Sequence, residues 1–397
     1  MSKNLNDLVM RLYPPLGTKL TPIKAQDAII TTKEYGDLID FQSGVWTTNI
    51  GHSRSEITDV IKNCVGSLMN THQYFETEHP NKLVEELVLA SGLIDKYNGM
   101  FLLSGSEAVL CACGIARELT GKEKLLSFSN SYHGAMGELR VPRNKGAWTD
   151  IDVADCFDCN NNCKDCDKLK SINYNDYAAF VFEPGNSGGL VLCHPEKLVT
   201  FISDNIRNAG GYIVVNEVTT GFGRTGKWFG HQHYSCMTKK GLNPDFIAMG
   251  KALGNGYPIS GVLAKVSLAK GMEQTGYKYI QSHQNDPLGC IVARKVIDLI
   301  SRDNLIETGK QRGEYLVSKL EKIKRKNPSI ESIRNRGLMT VVFLDKNISS
   351  RKIHSKLLVA GIFTAFNESL NFLHLYPPIT ILEEQIDFFC NTLNSIL

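Results

Sequence analysis

Residues 211–218 read GYIVVNEV, a short apolar run with β-branched side chains that ends in polar residues. Such a run is typical of a buried parallel strand, and open α/β sheets bind ligands where these strands end. The glycine-rich loop TTGFGRTG follows at 219–226, and DFIAMGKALGNGYP at 245–258 leads a second apolar run to Lys251. A lysine held at a strand end beside glycines can lose its proton and form a Schiff base, although a lone lysine is more often a solvated surface residue.

Composition limits the classes of protein to consider. The chain has 397 residues, 42% of them hydrophobic and 21% charged, which is typical of a soluble protein with two domains. A net charge of +3 does not favour nucleic acid or a membrane as a partner. The start MSKNLND lacks the apolar core of a signal peptide, and eleven cysteines then indicate thiols or metal ligands rather than a disulfide framework. We therefore expect a cytoplasmic enzyme.

Apolar runs alternate with helical patterns along the middle of the chain. The predicted strands lie at 101–103, 125–128, 178–182, 212–215 and 246–249. Amphipathic helices are predicted at 82–90, from 105 to 117 and at 198–209. This alternation predicts an α/β fold, with a mostly parallel sheet covered by helices on both faces.

Gly105 and Ser106 lie between a predicted strand and a predicted helix. Backbone N–H groups and the helix dipole favour an anion at such a helix start, and Ser106 adds a hydroxyl. The same residues could equally form a helix cap without any ligand.

Cys156, Cys159, Cys163 and Cys166 form a C-x₂-C-x₃-C-x₂-C cluster among acidic and amide residues. Four thiols this close favour a structural metal site, and we expect zinc because paired C-x₂-C turns commonly bind it. An iron–sulfur cluster or reactive thiols are alternatives, and the three-residue spacer is tight.

These segments together resemble the class III pyridoxal-phosphate aminotransferases. The family's strand ends in Asp-Glu-Val, continues with GFGRTG and places its lysine in a GKALG-x-G-x-P segment; only Asn216 departs from this pattern. YHG at 132–134, the Glu183-Pro184 pair and SHQNDP at 282–287 also match family motifs, so the resemblance covers nearly the whole chain. The four-cysteine cluster is not part of the family pattern and is predicted to be an insertion at 151–170.

The resemblance implies the pyridoxal-phosphate-dependent transferase fold type I. A large cofactor-binding domain at 51–290 would hold a mainly parallel sheet of the seven-stranded type. A smaller α+β domain would combine residues 1–50 with residues 291–397.

The resemblance also implies the site residues. Lys251 would bind pyridoxal 5′-phosphate covalently and act as the general base. The residues implied for cofactor binding are Gly105, Ser106, Tyr132, His133, Glu183, Asn216, Val218, Lys251 and Ser282.

Individual roles follow from the family pattern. Gly105 and Ser106 would hold the phosphate together with Ser282 of a neighbouring subunit, which implies an obligate homodimer with a shared active site. Tyr132 would stack on one face of the cofactor ring and Val218 would pack on the other. Glu183 would order the pocket, and His133 would lie beside Tyr132.

Asn216 takes the place of the aspartate that pairs with the ring nitrogen in the family. A carboxylate keeps that nitrogen protonated, whereas a neutral amide can donate an N–H to an unprotonated nitrogen. The electron sink should weaken, and we expect slower proton abstraction than in a typical relative.

His374 takes the place of the family's arginine that binds an α-carboxylate, and Trp46 is a second candidate substrate-binding residue. The Glu-Pro loop also lacks the family's second glutamate. Histidine cannot bind a carboxylate bidentately, so we expect a main substrate other than a standard α-amino acid. An ω-amine, an amino sugar, an amino-acyl derivative or an aminated natural-product intermediate would fit.

Amino transfer between an amine and a carbonyl compound is the predicted reaction. The alternatives are a lyase, decarboxylase or aminomutase that uses the same cofactor, and a weakly catalytic protein that binds the cofactor or a metal.

Overall fold

The computed structural model describes residues 18–397 except residues 73, 142, 144, 145, 186 and 187. The strands in this part of the chain are β1 (Pro22–Gln26), β2 (Ile29–Thr32), β3 (Gly36–Asp40), β4 (Tyr97–Leu102), β5 (Lys124–Phe128), β6 (Trp148–Ile151), β7 (Tyr177–Phe182), β8 (Tyr212–Asn216), β9 (Phe246–Met249), β10 (Ser260–Lys265), β11 (Ile330–Arg336), β12 (Met339–Leu344), β13 (Ile362–Phe363), β14 (Ala365–Asn367) and β15 (Phe372–Leu375). The helices are α1 (Ser43–Trp46), α2 (Ser55–Val65), α3 (His79–Ser91), α4 (Gly105–Thr120), α5 (Asp167–Lys170), α6 (Glu196–Asn208), α7 (Val266–Thr275), α8 (Pro287–Arg302), α9 (Leu305–Lys326), α10 (Ser350–Val359) and α11 (Glu383–Ile396).

A seven-stranded sheet in the order β4-β10-β9-β8-β7-β5-β6 organises the molecule. The strands β6, β5, β7, β8 and β9 pair in parallel, and β10 runs antiparallel to both of its neighbours. The predicted α/β fold with a mainly parallel sheet is confirmed. Parallel neighbours end at the same edge, so the residues after β8 and β9 lie side by side.

The central strands are buried on both faces, which is why they read as continuous apolar runs. Along β7, Phe180 and Phe182 pack in the same core as α6, whereas Val181 packs with α4. Because side chains alternate along a strand, α4 and α6 cover opposite faces of the sheet. Helix α8 joins a third core with β9 residues, and it begins at Pro287.

Two four-stranded sheets flank the large one, in the orders β1-β2-β3-β13 and β11-β12-β15-β14. The parallel pairing of β3 with β13 brings the N-terminal part of the chain against its C-terminal part. This pairing agrees with a smaller unit built from both ends. The domain boundaries at 50 and 290 stay a prediction.

The segment Ser43–Trp46, given above as α1, is a tight turn with non-helical backbone angles inside it. Ser43, Gly44 and Trp46 have φ values of 47°, 67° and 61°, which no β-strand accommodates. Tertiary hydrogen bonds select this turn, because the Ser43 hydroxyl donates to the carbonyl of Tyr376 and accepts from Arg224. The turn directs Trp46 towards Lys251.

In the ranges described above, no helix is both long enough and apolar enough to cross a bilayer.

Candidate active site

Lys251 follows β9 directly and begins a 3₁₀ turn, Lys251–Gly254, with a φ of 44°. Gly250, just before it, lies against the start of α4: a Cβ at Gly250 would be 3.2 Å from the Cα of Gly105. The glycines in this segment therefore allow the lysine and a helix N-terminus to approach more closely than side chains would permit.

The Lys251 amine is enclosed by protein. Its Nζ donates to Thr219 Oγ1 at 3.0 Å and lies 4.9 Å from the centre of the Trp46 ring. Burial lowers the pKa of Lys251 to about 8, and the Glu183 carboxylate opposes that shift in part. About one tenth of the amine is therefore neutral at pH 7, a far larger nucleophilic fraction than in a solvated lysine.

The first turn of α4 combines a helix cap with a possible anion cradle. The Ser104 hydroxyl accepts from the backbone N–H of Glu107 at 3.2 Å, so the capping interpretation is correct for Ser104. Ser106 Oγ accepts from the N–H of Ala135 at 3.2 Å. A Cβ at Gly105 would lie 2.6 Å from Val218 Cγ1, so this glycine brings the Val218 side chain to the helix start.

Tyr132 and Glu183 meet at the ends of two neighbouring strands. The backbone N–H of Tyr132 donates to Glu183 Oε2 at 3.0 Å. The Tyr132 side chain stays 42% exposed, so one side of it is open to a ligand or a partner. Glu183 thus orders the Tyr132 backbone and also raises the amine pKa of Lys251.

Asn216, the last residue of β8, is buried and makes three hydrogen bonds within the chain. Its amide nitrogen donates to the carbonyl of Tyr132 at 3.1 Å and to His133 Nδ1 at 3.3 Å. Its amide oxygen accepts from the N–H of Val218 at 3.1 Å. Both amide hydrogens are therefore used within the chain, and the expected donation from Asn216 to a cofactor nitrogen stays a prediction that would require one of these hydrogen bonds to break.

His133 lies behind Asn216, inside the protein. Its Nε2 is 2.7 Å from Ser127 Oγ, and its ring stacks on Trp148. Burial, with a smaller contribution from Arg143, holds the pKa of His133 well below its usual value, so the imidazole is neutral. Ser127 could not be identified from the sequence, because a serine inside a strand carries no local signal that it contacts a buried histidine.

Glu217, the neighbour of Asn216, turns away from this network. Its carboxylate accepts from the N–H groups of Gly230 and His231, from His231 Nδ1 and from the Thr220 hydroxyl. Burial acts to raise the pKa of Glu217, but these hydrogen bonds outweigh it and keep the pKa low. Glu217 therefore anchors the loop after β8.

His374 lies on β15 and is buried. Its ring stacks on Tyr376 at 3.8 Å between centroids and lies 5.1 Å from the Trp46 ring. Its Nδ1 is 3.3 Å from Gln42 Oε1. Burial, and secondarily Arg224, lower the pKa of His374 to about 3, so it carries no charge at neutral pH.

Arg224 uses its guanidinium for contacts within the chain. Its guanidinium donates to the carbonyls of Pro377 and Leu338 and to Ser43 Oγ. These contacts tie it to the turn beneath Trp46. Gln42 was not identified from the sequence, since only the folded chain brings it to His374.

Ser282 lies on an exposed turn, and its carbonyl accepts from Asn70 Nδ2 at 3.2 Å. Among the contacts of the described residues, none joins Ser282 to Lys251, Tyr132 or Asn216 within one chain. Its role towards a neighbouring subunit stays a prediction.

The zinc site expected in the four-cysteine loop stays a prediction. Within the described residues, no three His, Cys, Asp or Glu side chains are placed to hold a metal ion. Cys156, Cys163 and Cys166 are half-buried and pack on the apolar layer beneath α6, and burial, with a smaller contribution from the neighbouring thiols, raises the pKa of Cys156. Lys197 on α6 holds the loop by donating to the carbonyls of Cys159 and Asn161.

Comparison with known proteins decides the family. The family model described as "Aminotransferase class-III" matches residues 15–397. The chain belongs to the class III aminotransferases. The acetylornithine aminotransferase of Archaeoglobus fulgidus is 30% identical over 363 residues, 90% of this chain and 89% of that protein. The leucine/methionine racemase of Thermococcus litoralis is 29% identical over 400 residues, 93% of this chain and 88% of the racemase.

Solved structures agree with this class III aminotransferase assignment. An aminotransferase of Bacillus anthracis superposes with a TM-score of 0.86 at 25% identity, covering 98% of this chain and 96% of that one. The fold type I prediction is therefore confirmed. Enzymes of this class depend on pyridoxal phosphate, and the residues present fit it: a lysine with a lowered pKa lies close to a glycine-lined helix start, and Asn216 supplies a buried polar group.

Proposed function

We propose that this class III aminotransferase takes its amino group from a donor that is not held by an α-carboxylate, with a terminal primary amine as the expected class. The observation that carries the proposal is the neutral, stacked imidazole of His374 at the position of the family's carboxylate-binding arginine. A carboxylate placed there would lose its water without gaining a charged, bidentate partner.

The pocket walls agree with a donor of this kind. Trp46, His374 and Tyr376 form a continuous aromatic surface beside the Lys251 amine. Trp46 Nε1 donates to Gln42 Oε1 at 3.2 Å, so the indole is fixed rather than free to turn. An apolar segment next to the reacting amine would pack on this surface.

The relative from A. fulgidus supports the same class. That enzyme is named for acetylornithine, a molecule that also carries a terminal amine. For this chain we propose only the shared feature, a primary amine at the end of an apolar segment, together with a carbonyl compound as acceptor.

The proposed roles follow the geometry. Pyridoxal phosphate, when bound, supplies an electron sink for charge that develops beside the amine nitrogen. Lys251 Nζ would hold it covalently and would carry the proton that leaves the substrate carbon. The α4 N-terminus with Gly105 and Ser106 would hold the phosphate, and Tyr132 and Val218 would hold the ring.

A half-reaction experiment tests the donor class. The visible band of the purified enzyme is followed while terminal amines or α-amino acids are added without a carbonyl acceptor. We expect terminal amines to change the band and an aldehyde acceptor, which carries no α-carboxylate, to restore it, with the amine donor recovered as its aldehyde. Efficient conversion by glutamate or alanine would overturn the proposal. Product that keeps its amine, as in racemisation or elimination, would replace transfer by another reaction.

We also propose that the enzyme is a homodimer with a shared site. Ser282 lies on an exposed turn outside its own pocket, and Tyr74, Phe75 and Ile280 are large apolar side chains that are at least 70% exposed on one chain. Ser282→Ala should weaken phosphate binding without changing the assembly, whereas a monomer in sedimentation would contradict the proposal.

We also propose a zinc ion in the four-cysteine loop, and this proposal rests on the sequence spacing of the four thiols. Metal analysis of the purified enzyme tests it, with Cys156→Ser as the variant and Cys193→Ser as a control. A zinc content that is zero or unchanged in Cys156→Ser would refute it.

Two coarser expectations also stay proposals. All eleven cysteines are free thiols, which agrees with a reducing compartment and hence with the cytoplasm. The pairing of β3 with β13 supports a small domain formed by residues 1–50 and 291–397 around the large domain 51–290. Fractionation of the native cells and limited proteolysis test them respectively.

A further inference from the structure

The amide of Asn216 has a fixed orientation in this protein. Two backbone groups decide it: the carbonyl of Tyr132 accepts only from the amide nitrogen, and the N–H of Val218 donates only to the amide oxygen. A rotated amide would place donor against donor and acceptor against acceptor, and it would lose both hydrogen bonds in a buried site.

His133 uses the remaining amide hydrogen. Because its imidazole is neutral, one ring nitrogen carries the proton and the other accepts. Nδ1 faces the Asn216 amide nitrogen at 3.3 Å, so Nδ1 must accept and Nε2 must carry the proton. The Ser127 hydroxyl, 2.7 Å from Nε2, can accept that proton's hydrogen bond and so supports the tautomer that the Asn216 amide requires.

The charged side chain that acts on the His133 pKa reinforces the neutral imidazole. Arg143 is the charged side chain whose field acts on His133, and it disfavours a second proton on the ring. Arg143 itself is held by Asp150 and by the carbonyls of Ser131 and Phe128. A neutral His133 with a proton on Nε2 is therefore the stable form.

One acceptor position is left at Asn216. The oxygen has two lone pairs and uses one on Val218, whereas the nitrogen has no hydrogen to spare. We propose that Asn216 meets the ring nitrogen of the cofactor only as a hydrogen-bond acceptor, and that Ser127 and His133 are the positioning residues that keep it so. The ring nitrogen must then carry a proton, although no carboxylate holds it there.

This inference rests on the proposed function, and it changes the role that Asn216 is expected to have in that function. The substitution removes a negative charge from the site but preserves the polarity of the hydrogen bond. The enzyme would therefore keep a protonated electron sink, held by a neutral partner, instead of working with an unprotonated ring.

Nitrogen NMR of the enzyme loaded with pyridoxal phosphate labelled with ¹⁵N in the ring tests the inference directly. At neutral pH we expect the chemical shift of a protonated ring nitrogen in the native enzyme and in Asn216→Asp. An unprotonated shift in the native enzyme, with a protonated one in Asn216→Asp, would overturn it.

Two serine variants test the positioning role. In Ser127→Ala the proton on His133 Nε2 loses its buried acceptor, which favours the tautomer with a proton on Nδ1; that proton would oppose the Asn216 amide nitrogen, and we expect the signal to move towards the unprotonated position. Ser203→Ala is the matched control, since Ser203 on α6 is equally buried but its hydroxyl has no hydrogen-bond partner among the described residues. An identical signal in Ser127→Ala and the native enzyme would remove Ser127 and His133 from the account.

The failure of this inference differs from failure of the proposed function. The labelled enzyme is first checked for the visible band of lysine-bound cofactor, which Lys251→Ala must lack. If the band is present and the ring nitrogen is unprotonated, only the Asn216 inference fails. If no band forms, the proposed function fails.

Discussion

The Lys251 segment and the four-cysteine loop both carry a motif that local spacing makes conspicuous, but a buried strand positions the first and only a helix surface supports the second. Lys251 is positioned by a buried strand, by the close approach of Gly250 to Gly105 and by Thr219. The cysteine loop has short 3₁₀ turns and lies on the surface of α6, where Lys197 contacts its carbonyls. A spacing specifies geometry only where packing allows one backbone path.

Lys251→Ala should produce the largest loss of activity. Full activity in this variant would show that Lys251 is not the residue on which the site depends. Without the amine, the cofactor has no covalent attachment and the proton has no carrier, so we expect turnover to fall about 10³-fold or more. Turnover and the visible band are measured together. Lys227→Ala, on the exposed part of the neighbouring loop, should match the native enzyme.

The pH dependence of cofactor capture sharpens the description of the pocket. The neutral amine is the reactive form and its pKa is lowered to about 8, so the capture rate of cofactor-free enzyme should rise with pH and level off above 8. Below 8 the rate should fall about tenfold per unit. Stopped-flow absorbance measures it.

Glu183→Gln is the companion variant, because it removes the charge that raises the Lys251 pKa and can still accept from Tyr132. The midpoint should move to lower pH. A midpoint near 10 in the native enzyme would show that the lysine is solvated.

His374→Arg tests the substrate side of the pocket. A guanidinium at this position should improve the apparent affinity for an α-amino acid about tenfold, or ~1.4 kcal/mol. His374→Gln is the neutral control and should not show the gain. Equal affinity of both variants for glutamate would mean that another group binds the carboxylate.

Metal removal should give the smallest effect and addresses the loop alone. If the loop binds zinc, a chelator should lower the melting temperature by about 2–4 °C, since roughly 1 kcal/mol of local stabilisation is lost from a large chain. The cofactor band should not change, because Lys251 and its partners are on other elements. Loss of the cofactor band on adding a chelator would show that the four-cysteine loop affects cofactor binding at Lys251.

Much of the fold followed from sequence because the central strands are apolar on both faces and glycines mark the close approaches. The runs at 178–182, 212–215 and 246–249 correspond to β7, β8 and β9. Strands β6 and β10 were not predicted. Strand β10 is the antiparallel member of the sheet, and nothing in its residues, SGVLAK, distinguishes its direction.

The site divides in the same way. Lys251 and the α4 start were predictable, since each follows a strand and is bounded by glycine. The donors and acceptors around Asn216 were not, because Ser127, His133 and Tyr132 meet it only through the parallel sheet. The turn at 43–46 was also missed, because its positive φ values are imposed by Arg224 and Tyr376, far along the chain.

The most direct test of the central claim compares two isomers as amino donors. 4-Aminobutyrate and L-2-aminobutyrate contain the same atoms and differ only in whether the amine is terminal or beside the carboxylate. The rate at which each changes the visible band of the enzyme is measured in a single half-reaction. We predict faster and tighter conversion by the terminal amine. Preferential conversion by the 2-amino isomer would contradict the account, because the site would then bind an α-carboxylate despite His374.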